Sequence, residues 1–254
     1  MVTQDLKGRT AIVTGSGQNI GRAIALTLAR AGSNIVVNGL RDKNKIEAVA
    51  AEIRALGVDS YAVLADASDP EAIADVVNEA VKHFGAIDIA VSNVGIRPHQ
   101  AFTDISVDDW QKVINVNLNS AFYLAKAVVP HMRKKKFGRI IHLTGAEGVI
   151  PMANRAHVNV AKAGMTILAK SIALELGPEG ITANCICPGW IDTDRDMQNY
   201  PDLQNIYRHT RETTPLRRLG TVQEIANACL YLVSGMAEYV TGNTIYVDGG
   251  ESML

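Results

Sequence analysis

Short runs rich in β-branched side chains alternate with longer segments of helical period along the whole chain. The runs predict strands at residues 10–13, 35–38, 60–64, 87–92, 139–143, 181–186 and 244–247. The segments between them predict helices, which include residues 20–31, 43–56, 70–84, 107–135, 154–176 and 222–234. This alternation is typical of repeated strand-helix-strand units around a parallel sheet.

The strands and helices predict a Rossmann-type doubly wound α/β sheet of seven parallel strands with helices on both faces. No linker, repeat or low-complexity tract divides residues 1–254, so we expect a single domain. The least regular stretch, residues 190–219, is long and polar. It is either a mobile substrate lid, which we favour because ligands bind at that end of such sheets, or an ordered excursion with two short helices.

Composition removes several classes of function. The chain has 25 basic and 26 acidic side chains and a net charge of −1, so it lacks the electrostatic bias of nucleic-acid-binding proteins. It has no signal segment at its amino terminus and no apolar run long enough to cross a membrane. Its three cysteines, an odd number, suit a reducing compartment. We therefore expect a cytoplasmic protein with no metal site and no nucleic-acid or membrane partner.

A glycine-rich loop joins the first predicted strand to the first predicted helix. Gly15, Gly17 and Gly21 lie where backbone amides at a helix start approach a pyrophosphate. The third glycine comes one residue later than in the general dinucleotide fingerprint. Asp66 follows the third strand and residues 92–95 follow the fourth. Because a dinucleotide lies across the carboxyl ends of neighbouring strands, these positions together predict a nucleotide site.

Motifs along essentially the whole chain resemble those of the short-chain dehydrogenase/reductase family. The family's TGxxxGxG loop is matched by Thr14, Gly15 and Gly21, with Asn19 in place of the middle glycine, and its NNAG turn appears as residues 92–95. Further motifs follow at the family's spacing at residues 138–141, 161–164, 180–184, 188–189 with Thr193, and 247–250. Within the family, the chain resembles 3-hydroxybutyrate dehydrogenases at residues 34–39 and 181–190, and also 3-oxoacyl-ACP reductases.

The resemblance implies a bound NAD or NADP. By similarity, Gly15, Gln18 and Ile20 contact the phosphates and ribose. The other implied cofactor contacts are Asn38, Asp66, Asn93, Gly95, Lys162, Pro188, Gly189, Ile191 and Thr193. No acidic residue stands at positions 38–41, where a carboxylate would grip the free 2′-hydroxyl of NAD. Together with the nearby Arg41, this favours NADP slightly.

The family's catalytic residues are only partly present. Family members reduce carbonyl groups with a tyrosine that donates the proton, a lysine four residues later on the same helix face, a serine that steadies the substrate oxygen, and a supporting asparagine. Lys162 and Asn117 match the lysine and the asparagine. Val158 and Gly145 stand at the tyrosine and serine positions, and neither can carry a catalytic proton.

Three interpretations of this loss are open. In the one we favour, an altered oxidoreductase uses Glu147 as proton donor, because it lies two residues past the serine position; the alternative is a solvated loop carboxylate. His142 and His157 neighbour key positions but are expected to point away from the site. The second interpretation is non-redox chemistry with a bound nucleotide. The third is a catalytically silent nucleotide-binding or assembly protein.

The substrate and the assembly follow from the same resemblance. In 3-hydroxybutyrate dehydrogenases, polar residues near the nicotinamide hold a carboxylate. Arg97, Arg155 and Trp190 stand at corresponding places, so we predict a small carboxylate-bearing substrate clamped by two arginines, with two surface arginines as the alternative. The apolar helices at residues 107–135 and 154–176 imply a partner surface, which by resemblance is the dimer interface of a homotetramer completed by the carboxyl-terminal strand.

Overall fold

One parallel sheet lies at the centre of the protein, within residues 6–195, 200 and 202–253, which the computed structural model describes. Its seven strands are β1 (Thr10–Val13), β2 (Asn34–Gly39), β3 (Ser60–Leu64), β4 (Ile89–Ser92), β5 (Gly138–Leu143), β6 (Ile181–Pro188) and β7 (Thr244–Val247). They are ordered β3-β2-β1-β4-β5-β6-β7, and each neighbouring pair is parallel. The predicted doubly wound sheet is confirmed, and its switch point lies between β1 and β4.

Helices cover both faces of this sheet. They are α1 (Asn19–Arg30), α2 (Lys43–Ala55), α3 (Pro70–Phe84), α4 (Val107–Ile114), α5 (Ser120–Lys135), α6 (Ala156–Leu176), α7 (Leu203–Thr213) and α8 (Val222–Val233). One buried apolar cluster holds α1, α2 and α8, and a second holds α3, α5 and α6. Because both faces are covered, β1 and β4 are buried at every position, which explains their apolar sequences.

One predicted helix is interrupted at a predicted site residue, Asn117. The pattern over residues 107–135 predicts an unbroken helix, but α4 and α5 are separated by a π-helical turn at Asn115–Asn119. The prediction of a single helix is therefore wrong, because a π-helical turn changes the hydrogen-bond spacing locally while the apolar period continues. Asn117, in this turn, is buried and binds Ile96: its Oδ1 accepts from the Ile96 amide at 2.7 Å, and its Nδ2 donates to the Ile96 carbonyl at 2.9 Å.

The start of α1 differs from the starts of the next three helices. Asp42, Asp69 and Ser106 cap α2, α3 and α4, each accepting a hydrogen bond from a first-turn backbone amide. The amino end of α1 has neither a side-chain cap nor an acidic residue in its first turn. Its amides and the positive end of its dipole are therefore left for an anion.

The irregular segment 190–219 begins directly after β6. Its described part contains one α-helix, α7, and a buried cluster of Tyr200, Leu203, Tyr207 and Leu219 with Trp190 packed against it. The second short helix of the alternative interpretation is not found in that described part, and residues 196–199 and 201 lie outside the described residues. Ile191 forms a parallel bridge with Gly220, so the two ends of the segment meet.

Three features bear on the classes of function considered above. Within the described residues, none of the helices has both the length and the apolar character needed to cross a membrane. The same part of the chain contains no group of three or more His, Cys, Asp or Glu side chains placed to hold a metal ion. Cys185, Cys187 and Cys229 are buried free thiols.

Candidate functional site

The glycine-rich loop between β1 and α1 brings backbone close to backbone. Gly15 has a φ of +63°, in the left-handed region that glycine adopts without strain. A side chain at Gly21 would press on the Gly15 carbonyl oxygen and lie 2.7 Å from Asn93 Nδ2. Asn93 Nδ2 donates to the carbonyl oxygens of Thr14 at 3.1 Å and Gly15 at 3.2 Å. The predicted cofactor residue Asn93 therefore holds this loop from the end of β4.

Asn19, the departure from the family's glycine, has a structural partner far along the chain. Its φ is +50°, a conformation that asparagine tolerates better than most residues other than glycine. Its Nδ2 donates to the Asp194 carbonyl at 3.2 Å, and its Oδ1 accepts from the Asp194 amide at 3.2 Å. These two hydrogen bonds connect the glycine-rich loop to the beginning of segment 190–219.

A cleft of about 590 Å³ opens beside this loop. Its walls include Gln18 and Thr193, two of the residues that the resemblance assigns to the cofactor. They also include Lys45, which sequence analysis missed and whose Nζ donates to Gln18 Oε1 at 2.9 Å. The cleft volume lies in the range of pockets that hold small molecules and cofactors.

The residues predicted at the ends of β2 and β3 differ in their surroundings. Asn38 is buried, its Oδ1 accepts from the Gly15 amide at 3.3 Å, and its Nδ2 donates to the Ala65 carbonyl at 3.1 Å. Asn38 therefore supports the glycine-rich loop from behind. Asp66 is exposed just after β3, and its carboxylate accepts from the Ser68 amide and hydroxyl at 2.8 and 2.7 Å.

The residues predicted around the nicotinamide lie along the chain segment that separates two cavities. Pro188 and Gly189, at the end of β6, line a second pocket described below, whereas Thr193 lines the large cleft. Between them Ile191 is buried in the apolar cluster that holds α1 and α8, and Ile20 packs against the same cluster. The chain after β6 is thus the wall shared by the two cavities.

Lys162 lies deep between the sheet and α6. Its Nζ donates to the Leu143 carbonyl at 2.8 Å. A Cβ on Gly95 would lie 3.4 Å from that Nζ and 2.9 Å from Asn117 Oδ1, so the absence of a side chain at Gly95 keeps both groups close to the backbone after β4. Burial, followed by the charge of Arg97, lowers the pKa of Lys162 to about 7.

Gly145 and Val158, the residues predicted at the family's serine and tyrosine positions, differ in their surroundings. Val158 is buried and brings no polar atom to the site. Gly145 leaves space that another side chain enters: a Cβ there would lie 2.5 Å from Glu147 Oε2 and 3.3 Å from Arg97 Nη2. A serine at position 145 and this position of Glu147 are therefore mutually exclusive.

Glu147 is held in that space by a short 3₁₀ turn, Ala146–Gly148, and by arginines. Its residue exposure is 7 %, so the expectation of a solvated loop carboxylate is wrong. Glu147 Oε1 lies 2.7 Å from Arg155 Nη1 and 3.9 Å from Arg97 Nε. Burial raises the pKa of Glu147, but Arg97, a backbone amide, Arg155 and Lys162 outweigh it and leave the pKa below its ordinary value. Glu147 is therefore ionised at neutral pH.

Arg155 is also not the surface arginine of the alternative interpretation. It is 2 % exposed, because its guanidinium lies between Glu147 and His99. Arg155 Nε donates to His99 Nε2 at 3.1 Å, and burial and the charge of Arg155 lower the pKa of that histidine, so the ring accepts as the neutral form. His99 was missed by sequence analysis, since a histidine outside a motif carries no signal of its own.

His142 and His157, the two histidines expected to point away from the site, do not line the small pocket around Glu147. His142 lies in β5, and burial lowers its pKa to about 4. His157 Nε2 is 3.0 Å from Gln100 Oε1, on the side of α6 that faces residues 97–100.

The second pocket joins predicted and unpredicted residues. It is small, about 20 Å³, room for roughly one water molecule. Arg97, Glu147, Arg155 and Trp190, all predicted, lie in its wall. Its other lining residues are Ala146, Met152, Pro188, Gly189, Arg195, Tyr200 and Glu251. Arg195, Tyr200 and Glu251 were missed, because they come from segment 190–219 and from the carboxyl-terminal turn, where no local pattern marks them.

The fold and the glycine-rich cleft define a Rossmann-type nucleotide-binding protein. The sequence profile of a family described as enoyl-(acyl carrier protein) reductase matches residues 15–252. The 3-oxoacyl-[acyl-carrier-protein] reductase FabG of Staphylococcus epidermidis is 38% identical, with 96% of this chain and 99% of that protein covered. The D-beta-hydroxybutyrate dehydrogenase of Rhizobium meliloti is 36% identical, with 95% and 98% covered.

Solved structures agree with these relatives. A putative gluconate dehydrogenase from Agrobacterium tumefaciens has a TM-score of 0.93 and 34% identity, with 100% of both chains covered. A gluconate 5-dehydrogenase from Burkholderia cenocepacia, solved with NADP and tartrate, has a TM-score of 0.92 and 30% identity, with 99% of this chain and 98% of that chain covered. The chain belongs to the short-chain dehydrogenase/reductase family, and its relatives in that family are NAD(P)-dependent oxidoreductases.

Proposed function

We propose that the protein is an atypical NAD(P)-dependent oxidoreductase that interconverts an alcohol and a carbonyl group on a small carboxylate-bearing substrate. The observation that carries this proposal is the position of Glu147, whose carboxylate enters the space that a serine at position 145 would need. An ionisable group thus stands where the family steadies the reacting oxygen. Glu147 is the proton-transfer residue of this proposal, in place of the serine and tyrosine.

The charge state of Glu147 determines which half of the reaction it assists directly. A carboxylate whose pKa is held below its ordinary value accepts protons at neutral pH. In alcohol oxidation, Glu147 takes the proton of the substrate hydroxyl. In carbonyl reduction the same residue donates, so it must first be protonated, and reduction should become faster as the pH falls. The nicotinamide nucleotide, when bound, supplies or accepts the hydride.

The residues around the large cleft suit that nucleotide. The uncapped first turn of α1 leaves backbone amides for the phosphates. Lys162 and Asn117 lie next to the backbone of Gly95, where the family binds the nicotinamide ribose. Gln18 and Thr193 line the cleft itself.

The cofactor we propose is NADP, preferred modestly over NAD. The amide of Asn38 is engaged with the loop and with Ala65, and the nearby Asp42 carboxylate accepts from the Lys45 backbone amide. Neither is placed as a dedicated acceptor for a free ribose 2′-hydroxyl. Lys45 Nζ, next to Gln18, is a cation in the cleft wall that suits a 2′-phosphate. NADP is also the nucleotide named with the Burkholderia neighbour.

The substrate carboxylate is proposed to bind the arginines of the small pocket, with Trp190 as a wall. Arg155 is already engaged by Glu147 and His99, whereas Arg97 reaches Glu147 only at 3.9 Å. Arg97 therefore has more donor capacity left for a ligand. Arg155, which also lines the pocket, is the second arginine of the proposed clamp.

Segment 190–219 is proposed to act as a lid on a single domain formed by residues 1–254. A pocket of about 20 Å³ is far smaller than a substrate, so the walls must move before one enters. Trp190, Arg195 and Tyr200 supply one wall, and both ends of the segment meet at the bridge between Ile191 and Gly220. Movement about these ends would open the pocket without disturbing β6.

The assembly we propose is a cytoplasmic homotetramer. Phe122, Val160, Ile167 and Leu174 on α5 and α6 are apolar and exposed, and Tyr246 is exposed on the edge strand β7. Such surfaces suit burial against further copies of the chain. The buried free thiols are consistent with a reducing compartment. Light scattering coupled to gel filtration distinguishes a tetramer from a dimer or monomer.

Calorimetric titration with NAD, NADH, NADP and NADPH, after a check for nucleotide that co-purifies, tests the cofactor site. Turnover of carboxylate-bearing alcohols and ketones then tests the chemistry with Glu147→Gln. This variant keeps the size of the side chain but cannot transfer the proton, so kcat should fall by roughly 10²- to 10⁴-fold while nucleotide affinity stays unchanged. Glu79→Gln, an exposed glutamate on α3, is the matched control and should retain activity. Unchanged kcat in Glu147→Gln would disprove the role of Glu147.

A turnover assay also separates the proposal from its two alternatives. A protein that releases stoichiometric nucleotide on denaturation, yet shows no net oxidation or reduction, would favour non-redox chemistry. A protein that binds nucleotide and turns over none of the substrates offered would favour a silent binding role.

A further inference from the structure

A second carboxylate, Glu251, lines the same pocket as Glu147 and has no part in the proton transfer described above. It lies in a 3₁₀ turn, Glu251–Met253, that follows β7 and two glycines. Its Oε2 is buried and has no hydrogen-bond partner among the residues that the structure describes. A buried acceptor without a donor is unfavourable, so this oxygen is poised to receive a donor from a ligand.

The local structure holds Glu251 in this orientation. Gly249 and Gly250 have φ values of +65° and +90°, which turn the chain back toward β6. The Asp248 carboxylate closes the turn, since Oδ1 accepts from the Gly250 amide and Oδ2 from the Ser252 amide, each at 2.9 Å. The turn therefore fixes the backbone from which the Glu251 side chain extends.

A third glycine makes room for the carboxylate. A Cβ on Gly189 would lie 2.7 Å from Glu251 Oε2, so any larger residue at the end of β6 would push the carboxylate aside. Glu251 thus lies against the chain segment that the family places beside the nicotinamide. The two carboxylates of the pocket come from different parts of the chain, Glu147 from the turn after β5 and Glu251 from the turn after β7.

The two carboxylates also differ electrostatically. The arginines lower the pKa of Glu147. Burial raises the pKa of Glu251, and the charges of Asp248 and Glu147 add to this effect, while the Trp190 backbone amide lowers it. No arginine contributes to the pKa of Glu251 or forms an ion pair with it among the described residues. Glu251 is therefore free to accept from a neutral donor such as a hydroxyl group, whereas Glu147 is engaged by cations.

We infer that Glu251 is a specificity-determining residue that accepts a hydrogen bond from a second hydroxyl group of the substrate, so that the substrate class is a polyhydroxylated carboxylic acid. This inference rests on the proposed function for the carboxylate and for the reacting alcohol. Arg97 and Arg155 receive the carboxylate, Glu147 meets the reacting hydroxyl, and Glu251 meets a further one. An acyl chain suits this pocket poorly, because Arg97, Glu147, Arg155, Arg195 and Glu251 all line it.

Discrimination between substrates follows from whether the ligand gives Glu251 a hydrogen-bond donor. A hydroxy acid with a single hydroxyl group would bury Glu251 without a donor, as would a simple acyl compound. Sites built to bind a hydroxyl group discriminate strongly against ligands that lack it. We expect the nucleotide-bound protein to bind D-gluconate at least about 10-fold more tightly than D-3-hydroxybutyrate.

The test is calorimetric binding of D-gluconate, L-tartrate and D-3-hydroxybutyrate to the nucleotide-bound protein, followed by steady-state kinetics. In Glu251→Ala, affinity for the polyhydroxylated acids should fall about 10-fold, while affinity for 3-hydroxybutyrate stays the same or rises. Glu251→Gln keeps an acceptor oxygen and should retain part of the preference. Glu212→Gln, exposed on α7, is the control and should change nothing. Thermal unfolding of each variant separates loss of recognition from loss of fold.

Two outcomes would overturn the inference. One is that neither gluconate nor tartrate binds more tightly than 3-hydroxybutyrate to the unmodified protein. The other is that Glu251→Ala keeps the preference of the unmodified protein. Because binding is measured without turnover, a failure of Glu147 in proton transfer leaves this test intact. Conversely, normal turnover together with an unaltered substrate preference in Glu251→Ala would reject the specificity role of Glu251 and leave the proposed function in place.

Discussion

The large cleft beside the glycine-rich loop and the small pocket around Glu147 lie on either side of the same chain segment after β6, yet they match the family's motifs to different degrees. The loop beside the cleft has the predicted glycines Gly15 and Gly21, and Asn19, the predicted departure, adopts a left-handed backbone with a φ of +50°. At the pocket, Glu147 is buried against arginines and fills the space beside Gly145, the predicted serine position. Binding through backbone amides tolerates side-chain change, whereas proton transfer depends on the side chains themselves.

The unusual residues around the pocket depend on one another. Loss of a side chain at position 145 creates the space, Glu147 occupies it, and Arg155 and His99 fix the carboxylate there. A buried carboxylate without cations would be strongly unfavourable. The glycine at position 145 is therefore one part of a packed arrangement with Glu147 and Arg155.

Gly145→Ser should have the largest effect, because it restores the family's residue at the expense of the new arrangement. The added Cβ would lie 2.5 Å from Glu147 Oε2, so the carboxylate must leave its place. We expect kcat/KM to fall by about 100-fold or more, the range of a lost proton-transfer group. Nucleotide affinity, measured by calorimetry, should not change. Retained or increased activity would mean that Glu147 is dispensable and that the pocket works as in other members of the family.

Arg155→Ala should have the next largest effect, because it leaves Glu147 buried with fewer cations. Removal of one partner from a buried ion pair should lower the free energy of unfolding by about 3 kcal/mol. Arg133→Ala, which removes an exposed arginine from its pair with Glu179, should cost less than about 1 kcal/mol. Denaturant unfolding of the two variants measures the difference, and equal losses would contradict the buried character of the pair.

The same variant sharpens the assignment of Glu147 through its pH dependence. Arg155 is one of the cations that hold the pKa of Glu147 below its ordinary value. The stability of this carboxylate pairing is present above the unfolded-state pKa and is lost as the pH falls through the folded-state pKa. Without Arg155 the pKa of Glu147 rises, so the acid limb of the pH profile of alcohol oxidation should move to higher pH. The substrate concentration for half-saturation should also rise. An unmoved pH profile would separate Glu147 from the reaction.

Asn19→Gly should have a smaller effect, which extends from the glycine-rich loop beside the cleft to segment 190–219 beside the pocket. It restores the family's glycine and removes both hydrogen bonds to Asp194. Nucleotide affinity should change by less than about 3-fold, since two exposed hydrogen bonds contribute little. The substrate concentration for half-saturation should rise by roughly 2- to 5-fold, and protease should cleave segment 190–219 faster. If neither quantity changes, the cleft and the lid are independent.

Lys45→Gln should have the smallest effect and is confined to the cleft. Loss of this cation should weaken NADP binding by roughly 3- to 10-fold and leave NAD binding unchanged, because only NADP carries the 2′-phosphate. Lys43→Gln, at the first position of α2 and outside the cleft wall, is the matched control. Calorimetry with both nucleotides makes the comparison, and equal NADP affinities for the two variants would contradict the cofactor preference.

Local patterns in the sequence were enough to predict the sheet, most helices and the glycine-rich loop. Strand and helix periods act over a few residues, so β1, β3 and β7 have the bounds that the sequence predicts. The unbroken helix over residues 107–135 was wrong because a π-helical turn leaves the apolar pattern intact. The motif spacing also predicted that Gly145 and Val158 stand where the family has its serine and tyrosine, and that Lys162 matches the family's lysine.

Only the tertiary structure decided what surrounds those positions. Burial of Glu147 depends on the absence of a side chain at Gly145 and on Arg155, and the sequence pattern does not state the contact between them. Asn19 and Asp194 are 175 positions apart, and Glu251 enters the pocket from the last turn of the described chain. Distant contacts are set by how the sheet and its helices pack, so the sequence predicted the fold and the cofactor residues, whereas packing decided which side chains meet in the pocket.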